Sequence, residues 1–227
     1  REKIPAAHTG ALGGSLSFWG TYPDIERRFV MQSIEGGGWG GRPWEDGESA
    51  SVSVCQGDVR NAPIENVELK CPVIIESRSL RENSGGPGKY RGGLGVATRV
   101  RNLLEGRWNL RSNGREKMPP WGLWGGKSGV PSDQLLKLPE DEDFQHIDRN
   151  PVLVPPGSVV IFMTAGGGGW GDPLERDPER VKNDVIEGYV SLEAAKQQYG
   201  VVLEPETLEI EFELTERYRA ELRQGNQ

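Results

Sequence analysis

The chain has 227 residues, 27 Lys and Arg against 34 Asp and Glu, and a formal net charge of −7. That balance excludes a general nucleic-acid binder, which needs a basic face to displace phosphate counterions. No apolar run approaches the ~20 residues that cross a bilayer, so a membrane protein is excluded too. Glycine is the outlier: there are 32, about twice the usual ~7% share, not in the G-X-Y period of collagen and largely clustered beside tryptophan.

In chain order, the first feature is an opening on Arg1 with no initiator Met and no leader-like run, which reads as a fragment or processed chain. His8, beside Thr9 and Gly10, is one of two histidines; it reads either as a structural residue or as a polar site group. Ser51-Val52-Ser53-Val54 is expected as a strand, as are Val73-Ile74-Ile75 and the runs 96–100 and 159–162, all rich in β-branched residues. Between the first two, Asn61-Ala62-Pro63-Ile64-Glu65-Asn66-Val67-Glu68 is the best polar candidate. Pro63 fixes a turn, and Asn61, Glu65 and Glu68 present an amide and two carboxylates close together. Such a set can bind an amide or imide or orient a water as general base; equally, it can satisfy its own turn. Ser112-Asn113-Gly114-Arg115 is the second candidate, Arg115 offering a planar fork for a carboxylate or phosphate.

Four glycine clusters recur, at 36–41, 84–93, 119–126 and 166–171. Two match G-x-G-x-x-G, yet Asp172-Pro173 follows the last where a dinucleotide fold would open a helix. Gly88-Lys89 is followed by Tyr90 instead of the Ser/Thr of a phosphate loop. No nucleotide site of its own is expected. The Trp-Gly steps read as tight turns packed under aromatic plates, or as the rim of a pocket for a flat, uncharged substrate. The acidic run Glu140-Asp141-Glu142-Asp143 and His146 after it read as exposed.

The tail differs in charge: residues 172–227 hold 14 acids and 7 bases, while the 20 of each before them cancel. Asp177-Pro178-Glu179 is a helix start, with Val181, Val185, Ile186 and Tyr189 at helical spacing behind it. Ser191 caps a second helix stopped by Gly200. Leu208, Ile210, Phe212 and Leu214 alternate with acids as a strand would, and Thr215 opens a last helix. The fold class expected is mainly β, a mixed β-rich core followed by an α-helical C-terminal segment, α+β overall. Its two parts are a β-rich core over 1–171 and an acidic, helix-rich segment over 172–227. Cys55 and Cys71 have no C-x-x-C spacing and form no disulfide framework, which predicts a reducing cytoplasm. Two histidines cannot build a His-rich metal site, so no metal ligand is expected within this chain.

The Asn-x-Pro-x-Glu motif at 61–65, Ser84-Gly85-Gly86-Pro87-Gly88-Lys89-Tyr90-Arg91-Gly92-Gly93, Pro119-Pro120-Trp121-Gly122-Leu123-Trp124-Gly125-Gly126 and 166–173 resemble, in order and spacing, the hydantoinase B/oxoprolinase family. Asp184-Val185-Ile186-Glu187-Gly188-Tyr189-Val190-Ser191 looks like that family's usual ending. The resemblance runs from about Ile4 to Leu203 and implies the C-terminal part of a B-type subunit more than twice as long. It implies an ATP-dependent hydrolase of cyclic amides (hydantoin, 5-oxoproline or lactam) in which an A-type subunit, holding ATP and magnesium, activates the carbonyl. The B-type subunit then acts on the intermediate, with a divalent metal in its N-terminal part. A subunit of an acetone or acetophenone carboxylase, or a non-catalytic assembly module, is the alternative. The expected partners are the A-type subunit, the N-terminal part of the B-type subunit and a small cyclic amide. On the resemblance Asn61 and Glu65 fill the Asn-x-Pro-x-Glu positions, with Glu65 the catalytic carboxylate. Arg115 is the basic residue before Pro-Pro-Trp-Gly, and it joins Asn61 and His8 as substrate-binding.

Overall fold

The computed structural model describes residues 3–10, 13–53, 60–112, 115–147 and 150–225. Two antiparallel sheets face each other. The first has the order β2-β1-β5-β8, built from β1 (Gly14–Thr21), β2 (Arg28–Glu35), β5 (Gly106–Arg111) and β8 (Val152–Val154). The second has the order β3-β4-β9-β6-β7, built from β3 (Val73–Leu80), β4 (Val96–Asn102), β9 (Val159–Met163), β6 (Asp133–Lys137) and β7 (Gln145–His146). Strand pleating sends alternate side chains inward: in β4 Val96, Thr98, Val100 and Asn102 are buried and the residues between them are not. Leu16, Phe18, Phe29 and Met31 from one sheet meet Val73, Val100, Val160 and Phe162 from the other. The Phe18 and Trp108 rings stack with centroids 4.6 Å apart. This is an α+β molecule dominated by β structure.

The glycine clusters form a separate object. The N–H groups of Gly166 and Gly169 donate to Val130 and Lys127, those of Gly167 and Trp170 to Gly93 and Tyr90, and those of Gly168 and Gly171 to Ala7 and Leu123. Donors thus recur on one side every three residues. That is the period of a polyproline II helix, not the two of a strand. The neighbouring segments lie so close that a Cβ at Gly167 would sit 1.9 Å from Trp39 O, and one at Gly168 would sit 2.0 Å from Trp121 O. Glycine is there because main chain fills the place of a side chain. The Trp39-Gly40 and Trp121-Gly122 steps are not turns, their glycines packing on main chain, whereas Trp124-Gly125 is a tight turn, at φ 55 and 96 and closed by Gly126 N on Leu123 O at 3.0 Å, with the Trp124 ring more than half exposed.

Past the bundle, Asp172 caps a 3-10 turn at Pro173–Glu175 by accepting from Leu174 N. Helix α2 (Pro178–Ile186) starts on Asp177, which accepts from Glu179 N, and α3 (Leu192–Tyr199) starts on Ser191 and stops at left-handed Gly200. These cap signals survive intact because they are satisfied locally. Val181, Val190, Ala194, Ala195, Tyr199 and Val201 form a second apolar cluster.

Several expected elements differ. The strand at 51–54 is reduced to one bridge between Ser51 and Gly37; residues 52–53 are not in a strand and Val54 lies outside the described residues. The turn at Pro63 is the start of α1 (Ile64–Lys70), a helix with no buried residue and so no apolar period to read. The strand at 208–214 is a single Leu203–Ile210 bridge, broken by Leu208 at φ 57. Helix α4 (Phe212–Gly225) begins inside it, ahead of Thr215. The spacing Thr215, Arg219, Leu222 wins over the alternation, since Thr215 Oγ1 accepts from Val202 N and the other two pack on Gly200.

Candidate functional site

The inward face of β2 runs Phe29, Met31, Ser33, Glu35, ending on a carboxylate only 1% exposed. A register shift between Ile75 and Ser77 changes the parity of β3 and turns Arg78 toward the same space. Arg78 Nη2 lies 2.5 Å from Glu35 Oε2, which also accepts from Thr98 Oγ1 at 3.1 Å, and Ser33 Oγ donates to Glu35 Oε1 at 2.8 Å. A buried acid needs such a set, because the desolvation of an unpaired carboxylate costs several kcal/mol. Asn61 completes it: its amide donates to Ile34 O at 2.9 Å and accepts from Arg78 Nη2 at 2.6 Å. Together with Met31, Ile75 and Val100 these groups line a cavity of about 220 Å³ between the sheets. The set holds no free nucleophile. It neutralises Glu35 and fixes the Asn61 amide at the cavity wall.

The other candidates fall elsewhere. Glu65 stands exposed in the first turn of α1 and does not line this cavity. Glu68, one turn on, accepts from Ile75 N at 2.8 Å and ties α1 to β3. Arg115 and His8 come together, through main chain: Arg115 donates from Nη2 to His8 O, from Nε to Thr9 O and from Nη1 to Met118 O, at 3.0–3.1 Å. That guanidinium clamps the N-terminal segment and does not fork an acid. His8 Nδ1 accepts from Gly10 N at 2.9 Å, and its ring lies 5.9 Å from that of Trp39. Asn113, Gly114 and Cys55 lie outside the described residues; Cys71 is a buried free thiol that burial pushes up in pKa.

Glu35, Arg78 and Thr98 escape a reading by motif. The available signal is an acid at an inward strand position, two residues past a Ser at another. A second buried set likewise carries no motif. Arg176, 1% exposed, bridges Asp46 (2.6 and 2.8 Å) and Asp184 (2.7 Å), while Arg91 Nε and Nη2 reach Asp184 at 3.3 Å. Burial alone would raise the Asp46 carboxyl; the Arg176 hydrogen bonds and charge, with Arg91 behind them, hold it below the usual carboxylate range. This set fastens the loop at 46 and the glycine cluster at 91–93 to α2.

Comparison with known proteins decides the family. Residues 1–173 match the hydantoinase B/oxoprolinase family. The chain belongs to the hydantoinase B/oxoprolinase family. It is 33% identical to the B-type subunit of a putative D-/L-hydantoinase of Pseudomonas sp. (strain NS671), over 86% of this chain and 33% of that one. It is 28% identical to the acetophenone carboxylase delta subunit of Aromatoleum aromaticum, over 92% of this chain and 34% of that one. The crystal structure of ATP-dependent caprolactamase from Pseudomonas jessenii superposes with a TM-score of 0.81 at 29% identity, over 96% of this chain and 38% of that one. The chain therefore spans about one third of the length of the hydantoinase B relatives it matches. Family members are thus named as subunits of both hydrolases and carboxylases. No helix among the described residues is long and apolar enough to cross a membrane.

Proposed function

We propose that this chain is the C-terminal part of the B-type subunit of an ATP-dependent cyclic-amide hydrolase in the cytoplasm. It works on a ring amide whose carbonyl oxygen an A-type partner has phosphorylated with ATP and magnesium. Likeness to ATP-dependent caprolactamase along 96% of the chain carries this reading. The identity to the B-type hydantoinase relative supports the same class of substrate. Ring opening then requires water to add to the activated carbon and the ring C–N bond to break, the nitrogen leaving with a proton, and a second water to hydrolyse the resulting acyl phosphate to carboxylate and phosphate. Among the described residues no three His, Cys, Asp or Glu side chains converge on a metal-sized site. The divalent metal belongs to the N-terminal part of the subunit.

On this reading Asn61, held by Arg78, presents the amide that reads the substrate ring. Glu65 acts only where the rest of the subunit covers α1, and Arg115 with His8 sets the N-terminal segment in place. The full-length subunit with its A-type partner is to be assayed for ATP-dependent opening of hydantoin, 5-oxoproline and caprolactam. Parallel assays measure ATP-dependent fixation of labelled bicarbonate onto acetone and acetophenone. Opening of a cyclic amide with no carboxylation is the expected result; carboxylation with no ring opening would overturn the hydrolase reading. Within the active complex, Asn61→Ala is expected to raise KM more than it lowers kcat, as loss of a binding contact does.

A further inference from the structure

A second cavity, of about 430 Å³, lies away from Asn61 and is lined by Arg81, Glu116, Ser132, Asp133, His146 and Asn150 among others. Among the described residues its polar groups are unevenly spent. Arg81 follows the end of β3, and only its Nη1 is used, on Pro131 O at 2.6 Å and Thr164 O at 3.3 Å. Nε and Nη2 keep three N–H donors. Ser132 is 5% exposed, and its Oγ is buried with no hydrogen-bond partner. Glu116 accepts through Oε1 from Ser112 Oγ and from Gln134 Nε2, leaving Oε2 unused. Asp133 faces His146 Nδ1 at 2.9 Å. Asn150 is fixed by Leu110 and by Gln134 Oε1.

The wall therefore offers one cation with unspent donors, a buried hydroxyl beside it, and two carboxylates, Glu116 and Asp133, each with one free oxygen. A lone anion would meet Glu116 and Asp133, and a lone cation would meet Arg81. A ligand carrying both charges meets neither penalty. We propose that this cavity binds a small amino-acid zwitterion, its carboxylate on Arg81 and Ser132 Oγ and its ammonium on Glu116 Oε2. The volume lies within the range of small-molecule sites, and a guanidinium holds a carboxylate through parallel N–H bonds. Burial lowers the Arg81 pKa and Asp133 only partly offsets it, as expected for a cation awaiting an anion. The site stands on its own geometry. It deepens the proposed function because opening a lactam or 5-oxoproline turns a ring of no net charge, or one charge, into an amino acid carrying both.

Calorimetric titration of the full-length polypeptide tests it, with 6-aminohexanoate and glutamate as probes and hexanoate and hexylamine as single-charge controls. Saturable binding of a zwitterion, at least tenfold tighter than either control, is expected. Arg81→Gln should weaken it at least tenfold, and Glu116→Gln should erase the preference over hexanoate. Because Arg81 also holds two carbonyls, each variant's melting temperature is measured, and Arg81→Lys, which keeps the charge, should retain part of the affinity. Failure of both zwitterions to bind, or binding that ignores both substitutions in folded protein, overturns the proposal. Zwitterion binding without any cyclic-amide turnover would sink the hydrolase reading and leave this site standing; turnover without binding would do the reverse.

Discussion

Between the two sheets the interior is filled by side chains, among them Phe18, Trp108 and Phe162, whereas around residues 166–169 main chain touches main chain and no side chain intervenes. The first kind of core tolerates change by degrees, because a truncated side chain leaves a cavity its neighbours partly close. The second has no degrees. Carbonyl oxygens sit where a methyl group would go, and each belongs to a segment already hydrogen-bonded in place.

The largest expected effect breaks that contrast if it fails. Gly167→Ala adds one carbon 1.9 Å from Trp39 O and is expected to abolish the folded state, read as absence of a cooperative thermal transition. Leu16→Ala, which removes three carbons from a residue 1% exposed in the sandwich, should fold with a loss of about 2–5 kcal/mol. If both variants melt alike, the bundle is not the rigid element of the fold.

Next comes the joint between bundle and helices. Arg176→Met removes the bidentate partner of Asp46 and leaves Asp184 with Arg91 alone, and a loss of about 3–5 kcal/mol is expected by chemical denaturation. The same joint sets a pH dependence. The Asp46 carboxyl is held below its usual range in the folded protein, so its contribution is present above the unfolded value of about 3.9 and lost as pH falls through the folded one. Melting temperature should stay level from pH 7 to about 5 and fall below about pH 4, and Arg176→Met should flatten that fall. The smallest effects sharpen the picture. Ser191→Ala removes the cap on Ala194 N and the contact with Asn83, for about 1 kcal/mol. Gly188→Ala, at φ +71 with nothing within 4 Å, should cost only the roughly 1–2 kcal/mol of left-handed backbone. A glycine outside the bundle would then differ from Gly167 in kind.

How much of this the residues disclose depends on whether a segment is decided locally. The Asp177 and Ser191 caps, Gly200 and the β-branched runs of β3, β4 and β9 are local chemistry, and each stands where its sequence predicts it. The bundle is decided by partners 36 to 161 residues away (166 − 130 and 168 − 7), so its glycines read only as turns. Helix α1 carries no buried residue and so writes no period. At 208–214 acids alternate with apolar residues, but docking on Gly200 overrides them. Of the candidate site, Asn61 is visible in its motif, while Arg78 turns inward through a strand irregularity and Glu35 is recognisable only once β2 has been given an inside.

The bundle also sets a schedule for synthesis. Ala7 O is held by Gly168 N, a partner made 161 residues later (168 − 7). At about 5–20 residues per second this interval is on the order of ten to thirty seconds. Through it the Ala7 carbonyl waits in water, while Ala6 and Thr9 already have their partners at Gly41 and Gly38 and β1 and β2 are free to pair. The ribosome thus delivers a hairpin first and the keystone of the glycine bundle much later, so a nascent chain stalled before residue 166 should carry strands but no bundle.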